Sequence, residues 1–226
     1  MRLGILYSGG KDSTYALEKA REKDDVACLI TVQSRNPESY MFHTPNIDVT
    51  SLQAEALGLP LVKKSTGGVK EEELSDLEAA VKAAASEHGI LGVVSGAVES
   101  VYQAERIQRI CVRLGLWCHN PLWKMDQEGL LRDILSRGYE VVVSGVFAYP
   151  MGEEWLGRRL DPAAVEELVA LRASHGVSPT GEGGEIETTV LDAPVFERRI
   201  EILEARKDWR GGSGTYRIER ARLVDK

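Results

Sequence analysis

The sequence contains few cysteines and no long apolar run. Its three cysteines, Cys28, Cys111 and Cys118, cannot all pair with one another and form no Cys-x-x-Cys motif, which argues against a disulfide framework or a zinc ribbon. We interpret all three as reduced structural thiols, and we therefore predict a cytoplasmic protein. No stretch approaches the roughly 18 apolar residues of a membrane span. We also expect no signal peptide, because the N-terminal apolar segment covers only residues 3–7.

An excess of basic residues is also missing. Lys and Arg together number 28 and Asp and Glu together 35, which gives a net charge of −7 at pH 7. Nucleic acids and anionic membranes are usually bound by a basic face, so we expect neither as a direct partner. A chain of 226 residues is long for one domain and indicates one domain with an appendage.

Strand-like and helix-like segments alternate through the first two-thirds of the chain. The strand-like segments are short, apolar and often β-branched, as in strands buried on both faces; they are residues 2–7, 26–33, 60–64, 91–95 and 140–147. The helical patterns are residues 12–23, 46–57, 70–88, 101–114 and 127–137, the last with Asp126 as its N-cap. This alternation predicts an α/β fold with a doubly wound parallel sheet, which binds ligands beyond the carboxyl ends of its strands.

The character of the sequence changes after residue 150. A helix is predicted at 161–175, and strands are predicted at 185–191, 199–205 and 215–224, with a hairpin loop at Gly211–Gly214. We interpret residues 1–150 as the first domain and residues 151–226 as a smaller α+β region packed against it.

The most informative segment follows the first predicted strand and opens the first predicted helix; it reads Ser8-Gly9-Gly10-Lys11-Asp12-Ser13. Its glycines let the backbone approach a phosphate, and the helix N-terminus supplies roughly half a positive charge. We expect Lys11 to add a mobile cation, and Ser8 and Ser13 to add hydroxyl donors. It is not a Walker loop, because that spacing needs a glycine where this chain has Ile5. The alternative is a glycine-rich helix start without a ligand.

Two further segments carry candidate side chains near the predicted cleft. His43 follows the second predicted strand, where it could contact a ligand or simply bond to backbone. Tyr102 and Arg106 are four residues apart and so share a helix face with Gln103 beside them. That face could look into the cleft or into solvent.

An acidic segment lies in the C-terminal region. Glu185 and Glu187 fall on one face of a predicted strand, because side chains alternate, and Glu182 precedes them in a glycine-rich loop. Carboxylates on one face repel each other unless a cation lies between them. The alternatives are a cation-binding wall and a solvated acidic hairpin.

Taken together, these segments resemble one family. The Ser8–Ser13 loop is similar to the SGGxDS loop of the N-type ATP pyrophosphatases, which split ATP into AMP and pyrophosphate. In the same order, from residue 1 to about 200, the chain resembles the diphthine–ammonia ligases in their short archaeal form. The other matching blocks are Ser39-Tyr40-Met41-Phe42-His43, Gly96-Ala97 with Ser100, Tyr102, Gln103 and Arg106, Leu122-Trp123 with Asp126-Gln127, and Gly181-Glu182-Gly183-Gly184-Glu185-x-Glu187-Thr188 with Leu191-Asp192-x-Pro194-x-Phe196. One departure is Ile186, where the family usually has an aromatic residue.

The resemblance implies a Rossmann-like fold of the adenine nucleotide alpha hydrolase type and an ATP-dependent enzyme. Its reaction would be amidation of diphthine on translation elongation factor 2 by free ammonium, through an adenylated intermediate, giving diphthamide, AMP and pyrophosphate. ATP and Mg²⁺ would be the cofactors, and elongation factor 2 in its diphthine form would be the protein partner. Residues 1–150 would bind ATP and residues 151–226 would bind substrate.

The resemblance also implies roles for the candidate residues. Ser8, Gly9, Gly10, Lys11, Asp12 and Ser13 would bind the ATP phosphates, with Lys11 and Asp12 catalytic and Asp12 helping to hold magnesium. Glu182, Glu185 and Glu187 would face the trimethylammonium group of diphthine or ammonium itself, and a cage of aromatic residues such as Tyr102 and Trp123 is the open alternative for the trimethylammonium group. His43, Tyr102, Gln103 and Arg106 would contact the substrate carboxylate or the adenylate.

Two other functions stay open at this point. A related RNA-modifying thiolation enzyme would need paired cysteines and a basic RNA-binding region, and the sequence has neither. A non-catalytic ATP-binding regulator would keep the phosphate loop without turnover. The sequence leaves the oligomeric state open, a homo-oligomer included.

Overall fold

The first half of the chain forms a five-stranded parallel sheet. The structure, a computed structural model, describes residues 1–36, 45–69 and 71–226, so the predicted His43 site lies outside the described residues. The strands are β1 (Arg2–Leu6), β2 (Asp25–Ser34), β3 (Leu61–Thr66), β4 (Gly92–Val94) and β5 (Trp117–His119). Their order is β3-β2-β1-β4-β5, and every neighbouring pair is parallel.

Helices cover both faces of this sheet, which confirms the predicted doubly wound arrangement. The helices of the chain are α1 (Lys11–Arg21), α2 (Thr50–Leu57), α3 (Glu73–His88), α4 (Val101–Leu114), α5 (Gln127–Ser136) and α6 (Pro162–His175). Buried residues of α1, α2 and α5 pack with Leu29 on one face. Buried residues of α3 and α4 pack with Ile30 on the other face. Successive residues of β2 thus point to opposite cores, as the continuous apolar run predicts.

A second sheet, antiparallel, forms the C-terminal part. Its strands are β6 (Glu140–Val146), β7 (Ile186–Asp192), β8 (Arg199–Arg210) and β9 (Ser213–Val224), in the order β7-β6-β9-β8. Strands β8 and β9 form a hairpin around Gly211 and Gly212, whose φ angles of 59° and 85° suit glycine in a tight hairpin turn. The smaller C-terminal α+β region and its hairpin loop are confirmed.

One strand belongs to a different sheet from the one the sequence indicated. Residues 140–147 read as a further parallel strand, but β6 pairs with β7 and β9 in the antiparallel sheet. The misassignment has a physical cause: β6 is buried on both faces along residues 141–146, so it shows the continuous apolar pattern of a parallel strand. The fifth parallel strand is instead the short β5, which the sequence did not reveal. The division at residue 150 stays a prediction.

A buried polar cluster ties α1 to α5 and β6. Glu18 accepts a hydrogen bond of 2.6 Å from Arg137 and one of 2.5 Å from the hydroxyl group of Tyr139. Nearby, the hydroxyl group of Tyr15 donates to Asp133. These contacts satisfy the polar groups of an otherwise apolar interface, which would be costly if left unpaired. No helix among the described residues combines the length and apolar character of a bilayer span.

Removing the arginine of this cluster should destabilise the fold. Arg137→Met keeps the aliphatic stem but leaves one oxygen of the nearly buried Glu18 without its partner. We expect the free energy of unfolding, measured by urea denaturation, to fall by roughly 1–2 kcal/mol. The matched control is Arg109→Met, which removes the exposed pair with Glu105 and should change stability little. Equal losses in the two variants would contradict a special role for the cluster.

Candidate active site

The phosphate loop lies between β1 and α1 and is held by its own hydroxyl groups. The hydroxyl oxygens of Ser8 and Ser13 lie 3.2 Å apart, and the Ser8 N–H donates to the Ser13 oxygen at 3.3 Å. Gly9 has a φ of +81°, a conformation that favours glycine. Within the described residues, the N–H groups of Gly9, Asp12 and Ser13 find no acceptor. They are the donors that this loop can offer to an anion.

Lys11 is fixed, so the predicted mobile cation is wrong. The side chain is only 2% exposed, and its Nζ donates to Asp12 Oδ2 at 2.7 Å and to the Thr180 carbonyl at 2.6 Å. A buried ammonium group must find such partners because it has lost its water. The lysine therefore connects the phosphate loop to the loop that carries the acidic segment.

Asp12 keeps one carboxylate oxygen uncommitted. Its Oδ1 is buried and has no hydrogen-bond partner among the described residues, while the residue lines the cleft. An oxygen of this kind fits Mg²⁺, which is commonly held by one or two carboxylates together with substrate phosphates. In the described part of the chain, no cluster of three or more ligating side chains forms a metal cage by itself.

Strand β7 holds the phosphate loop from the other side. The Gly9 carbonyl accepts from the Val190 N–H at 3.0 Å and from Gln53 Nε2 at 2.9 Å. Gln53 is fully buried and also donates to the Val190 carbonyl at 2.8 Å. The Lys11 N–H donates to the Thr188 hydroxyl oxygen at 3.2 Å. The one weak sequence signal for Gln53 is that it is a glutamine inside a helix whose other residues are largely small and apolar.

The end of β4 packs against the first turn of α1. A Cβ placed on Gly96 would lie 2.8 Å from the backbone carbon of Asp12 and from the Ser13 nitrogen. Only glycine allows this close approach of two backbones. Gly96 and its neighbours Ser95 and Ala97 line the cleft.

Helix α4 brings two of its three candidate residues to the cleft. Tyr102 and Gln103 line it, whereas Arg106 does not. The Arg106 guanidinium lies 3.4 Å from the centre of the Tyr102 ring and pairs with Glu71 at 2.6 Å. The Tyr102 hydroxyl also donates to Glu71 at 3.2 Å. Arg106 therefore contacts Tyr102 and Glu71 without lining the cleft.

Glu182 closes the N-terminus of α4. Its Oε2 accepts from the N–H groups of Glu99 at 2.7 Å and Ser100 at 3.0 Å, a position where a helix favours negative charge. Burial nevertheless raises the pKa of Glu182, with the two N–H bonds acting in the opposite direction. Glu182 lines the cleft and joins the acidic loop to α4.

Glu185 and Glu187 lie in different surroundings. Glu185 accepts from the N–H groups of Ser178 at 3.1 Å and Gly183 at 2.9 Å, so both its oxygens serve its own loop, outside the cleft. Glu187 is half-buried, lines the cleft and accepts no hydrogen bond from any described residue. Burial raises the pKa of Glu187 to about 7; the charge of Lys11 lowers it and that of Asp12 raises it.

Gln127, which sequence analysis did not single out as a site residue, links these loops. It is nearly buried, and its Nε2 donates to Glu99 at 2.9 Å. Its Oε1 accepts from the Ser178 hydroxyl at 2.8 Å and from the Thr180 N–H at 3.4 Å. Asp126, just before it, caps α5 as predicted.

The cleft formed by these elements has a volume of about 310 Å³, at the small end of the range for ligand sites. One wall is polar and comes from the phosphate loop and the acidic segment. The apolar lining of the cleft includes Leu6, Ile30, Val32, Leu77 and Ile107. Ile186, the departure from the family pattern, is buried and lines the cleft as well.

Comparison with known proteins gives a consistent result over most of the chain. The family models for the diphthamide synthase N-terminal and C-terminal domains match residues 1–118 and 126–224. The diphthine–ammonia ligase of Rattus norvegicus is 33% identical over 222 residues, covering 89% of this chain and 83% of its own length. That of Homo sapiens is 32% identical with the same coverage. That of Schizosaccharomyces pombe is 33% identical over 90% of this chain, which spans only 36% of that longer protein.

Two solved structures are similar to the chain at low sequence identity. A predicted subunit of tRNA methyltransferase from Methanocaldococcus jannaschii matches with a TM-score of 0.44 and 18% identity, covering 86% of this chain and 98% of that one. The U34-tRNA thiolase NcsA from Methanococcus maripaludis matches with a TM-score of 0.41 and 16% identity, covering 82% of this chain and 70% of that one.

A side chain at Gly96 should disturb the phosphate loop. Gly96→Ala forces a methyl group against the backbone of Asp12 and Ser13, and rigid backbone cannot give way cheaply. We expect ATP affinity, measured by equilibrium dialysis, to fall at least about tenfold. The control is Gly67→Ala, because a Cβ there meets nothing within 4 Å. Unchanged affinity in Gly96→Ala would show that the loop tolerates displacement.

The raised pKa of Glu187 predicts a pH-dependent gain in stability on its removal. Well below pH 4.5, its ordinary pKa, the group is protonated in both states. Above that value the unfolded state ionises while the folded state keeps its proton up to about pH 7, so stability is lost progressively between the two values. Glu187→Gln should therefore match the wild type in unfolding free energy near pH 4 and exceed it by about 1–3 kcal/mol at pH 8. Urea denaturation at the two pH values measures the difference. A constant difference across this range would contradict the raised pKa.

Proposed function

This chain belongs to the diphthine–ammonia ligase family, and we propose that it amidates the carboxylate of diphthine on translation elongation factor 2 with ammonium at the expense of ATP. The observation that carries the proposal is the 2.6 Å contact between Lys11 Nζ and the Thr180 carbonyl. Through it, a loop suited to phosphates and a loop rich in carboxylates share one cleft.

ATP would solve the central chemical difficulty of the reaction. A carboxylate is a poor acyl donor, because its leaving group would be oxide. Transfer of AMP to the carboxylate replaces oxide with AMP, and pyrophosphate departs. Magnesium, when bound, neutralises the charge of the departing pyrophosphate. The N-terminus of α1 adds its partial positive charge at the same place.

We assign the triphosphate to the loop from Ser8 to Ser13. The N–H groups of Gly9, Asp12 and Ser13 are its free donors. Asp12 Oδ1 would hold Mg²⁺, and Lys11 would keep the Asp12 carboxylate oriented through its other oxygen. The apolar lining residues of the cleft would receive the adenine ring, since they offer burial without competing hydrogen bonds.

The protein substrate would enter beside α4. Tyr102 presents its aromatic ring at the cleft, with the Arg106 guanidinium 3.4 Å from the ring centre. An aromatic ring of this kind attracts a cation such as a trimethylammonium group. Gln103 is our candidate for the substrate carboxylate. Glu182 and Glu185 would position the acidic loop rather than touch the substrate. The role of His43 stays a prediction.

The thiolation alternative receives little support from the cysteines. Cys111, on α4, is buried in the core on the other face of the sheet, and Cys118, on β5, packs against that core. Neither lines the cleft, so neither could deliver sulfur to a substrate bound there.

Product analysis separates the candidate functions. Phosphorus NMR of the products formed from ATP, ammonium and diphthine-bearing elongation factor 2 should show AMP and pyrophosphate only when all three are present. Turnover stimulated by tRNA would favour thiolation, and ATP binding without turnover would favour a regulator. Release of ADP and phosphate would contradict adenylyl transfer.

Loss of the lysine cation should stop adenylation. Lys11→Met keeps most of the buried volume but leaves Asp12 and the Thr180 carbonyl without their donor. We expect AMP formation, followed by phosphorus NMR, to fall by a factor on the order of 10²–10³, as for removal of a preorganised electrostatic group. The matched control is Lys19→Met in the last turn of α1, which should turn over normally. Normal turnover in Lys11→Met would remove Lys11 from the site.

A further inference from the structure

The three glutamates of the acidic segment, Glu182, Glu185 and Glu187, differ in their hydrogen-bond partners. Glu182 uses Oε2 to close the N-terminus of α4, and Glu185 uses both oxygens within its own loop. Glu187 lines the cleft, and no described residue donates a hydrogen bond to its carboxylate. The spacing of the sequence places Glu185 and Glu187 on one face. Their hydrogen bonds show that only Glu187 is without a donor among the described residues.

We propose that Glu187 is the catalytic base of the amidation: its carboxylate binds the incoming ammonium ion in the cleft and accepts the proton that ammonium must lose before it can attack. The inference rests on the proposed function and adds a group that handles the nitrogen substrate.

The surroundings of Glu187 favour a cation that donates hydrogen bonds. The half-buried carboxylate has lost part of its water, and unpaired oxygens in such a place are costly. Ammonium carries N–H donors that can satisfy them. A trimethylammonium group carries none and would leave the carboxylate unsatisfied. Of the two cations in the proposed reaction, ammonium is therefore the better partner.

Among the described residues, Glu187 lines the cleft together with Lys11 and Asp12, whose charges act on it. Both belong to the phosphate loop, so a nitrogen bound at Glu187 would lie close to the phosphate of an adenylated substrate. Lys11 Nζ already donates hydrogen bonds to Asp12 and to the Thr180 carbonyl, and it is not hydrogen-bonded to Glu187. Burial disfavours the ionised form of Glu187, so its carboxylate is a stronger base than an ordinary glutamate.

The step balances without a further reactant. Ammonium transfers one proton to the Glu187 carboxylate, which frees the nitrogen lone pair. That pair forms the C–N bond to the acyl carbon, and the C–O bond to the AMP phosphate breaks. AMP leaves with the electrons of the broken bond, and the nitrogen releases one more proton to solvent. The carboxyl group of Glu187 then returns its proton to solvent.

The test uses Glu187→Gln, which keeps the shape of the side chain and removes its basicity. Three quantities are measured with diphthine-bearing elongation factor 2: ATP–pyrophosphate exchange without a nucleophile, amide formation with ammonium, and hydroxamate formation with hydroxylamine. Hydroxylamine is a weaker base than ammonia and stays neutral near pH 7, so it needs no deprotonation before attack. The matched control is Glu87→Gln, at an exposed position near the end of α3.

In Glu187→Gln we expect ammonium-dependent amide formation to fall by a factor on the order of 10²–10⁴, while pyrophosphate exchange and hydroxamate formation stay within about threefold of wild type. A merely structural role would lower all three quantities together and would overturn the inference. A raised KM for the elongation factor, with ammonium dependence unchanged, would assign Glu187 to the trimethylammonium group and overturn it too. Absence of exchange in the wild type would instead refute the proposed function itself.

Discussion

The cleft depends on one buried cation, the ammonium group of Lys11. It sits at the first turn of α1, almost without solvent, and is held by Asp12 in its own loop and by Thr180 in the C-terminal region. A buried charge is tolerated only where it is paired and hydrogen-bonded. Lys11 can therefore be buried in the phosphate loop only when the loop that carries Thr180 is packed against it. Lys11 thus links the phosphate loop of the first sheet to the C-terminal region at the ligand site.

Negative charge accumulates around that cation, and the fold compensates most of it. Glu182 faces the N–H groups at the start of α4, and Asp12 faces Lys11. Asp12 also raises the pKa of both Glu182 and Glu187, so the remaining carboxylates repel one another. A cleft with uncompensated carboxylates next to anion-binding N–H groups suits reactants of both signs. Nucleotide phosphates, a divalent cation and ammonium are such a set.

Local signals in the sequence predicted the local parts of this arrangement. The strand, glycine turn and helix start of the phosphate loop are indicated by neighbouring residues, as is the Asp126 cap of α5. The sheet to which β6 belongs and the burial of Lys11 depend on contacts with residues 40 or more positions away, which periodicity cannot report. The same limit applies to the acidic segment: alternation predicts which glutamates share a face, but their hydrogen bonds follow from how the loop folds back.

The position of Glu187 relative to the phosphate loop is set by one strand. Its neighbour Thr188 accepts from the Lys11 N–H, and Val190, three residues along β7, donates to the Gly9 carbonyl. Glu187 is thus attached to the cradle through strand backbone, which is stiffer than a loop and holds a functional group more accurately. Glu185 lies just before β7 and accepts from N–H groups of its own loop. Glu187 lies within β7, beyond the reach of these donors, and its carboxylate can therefore act as a base.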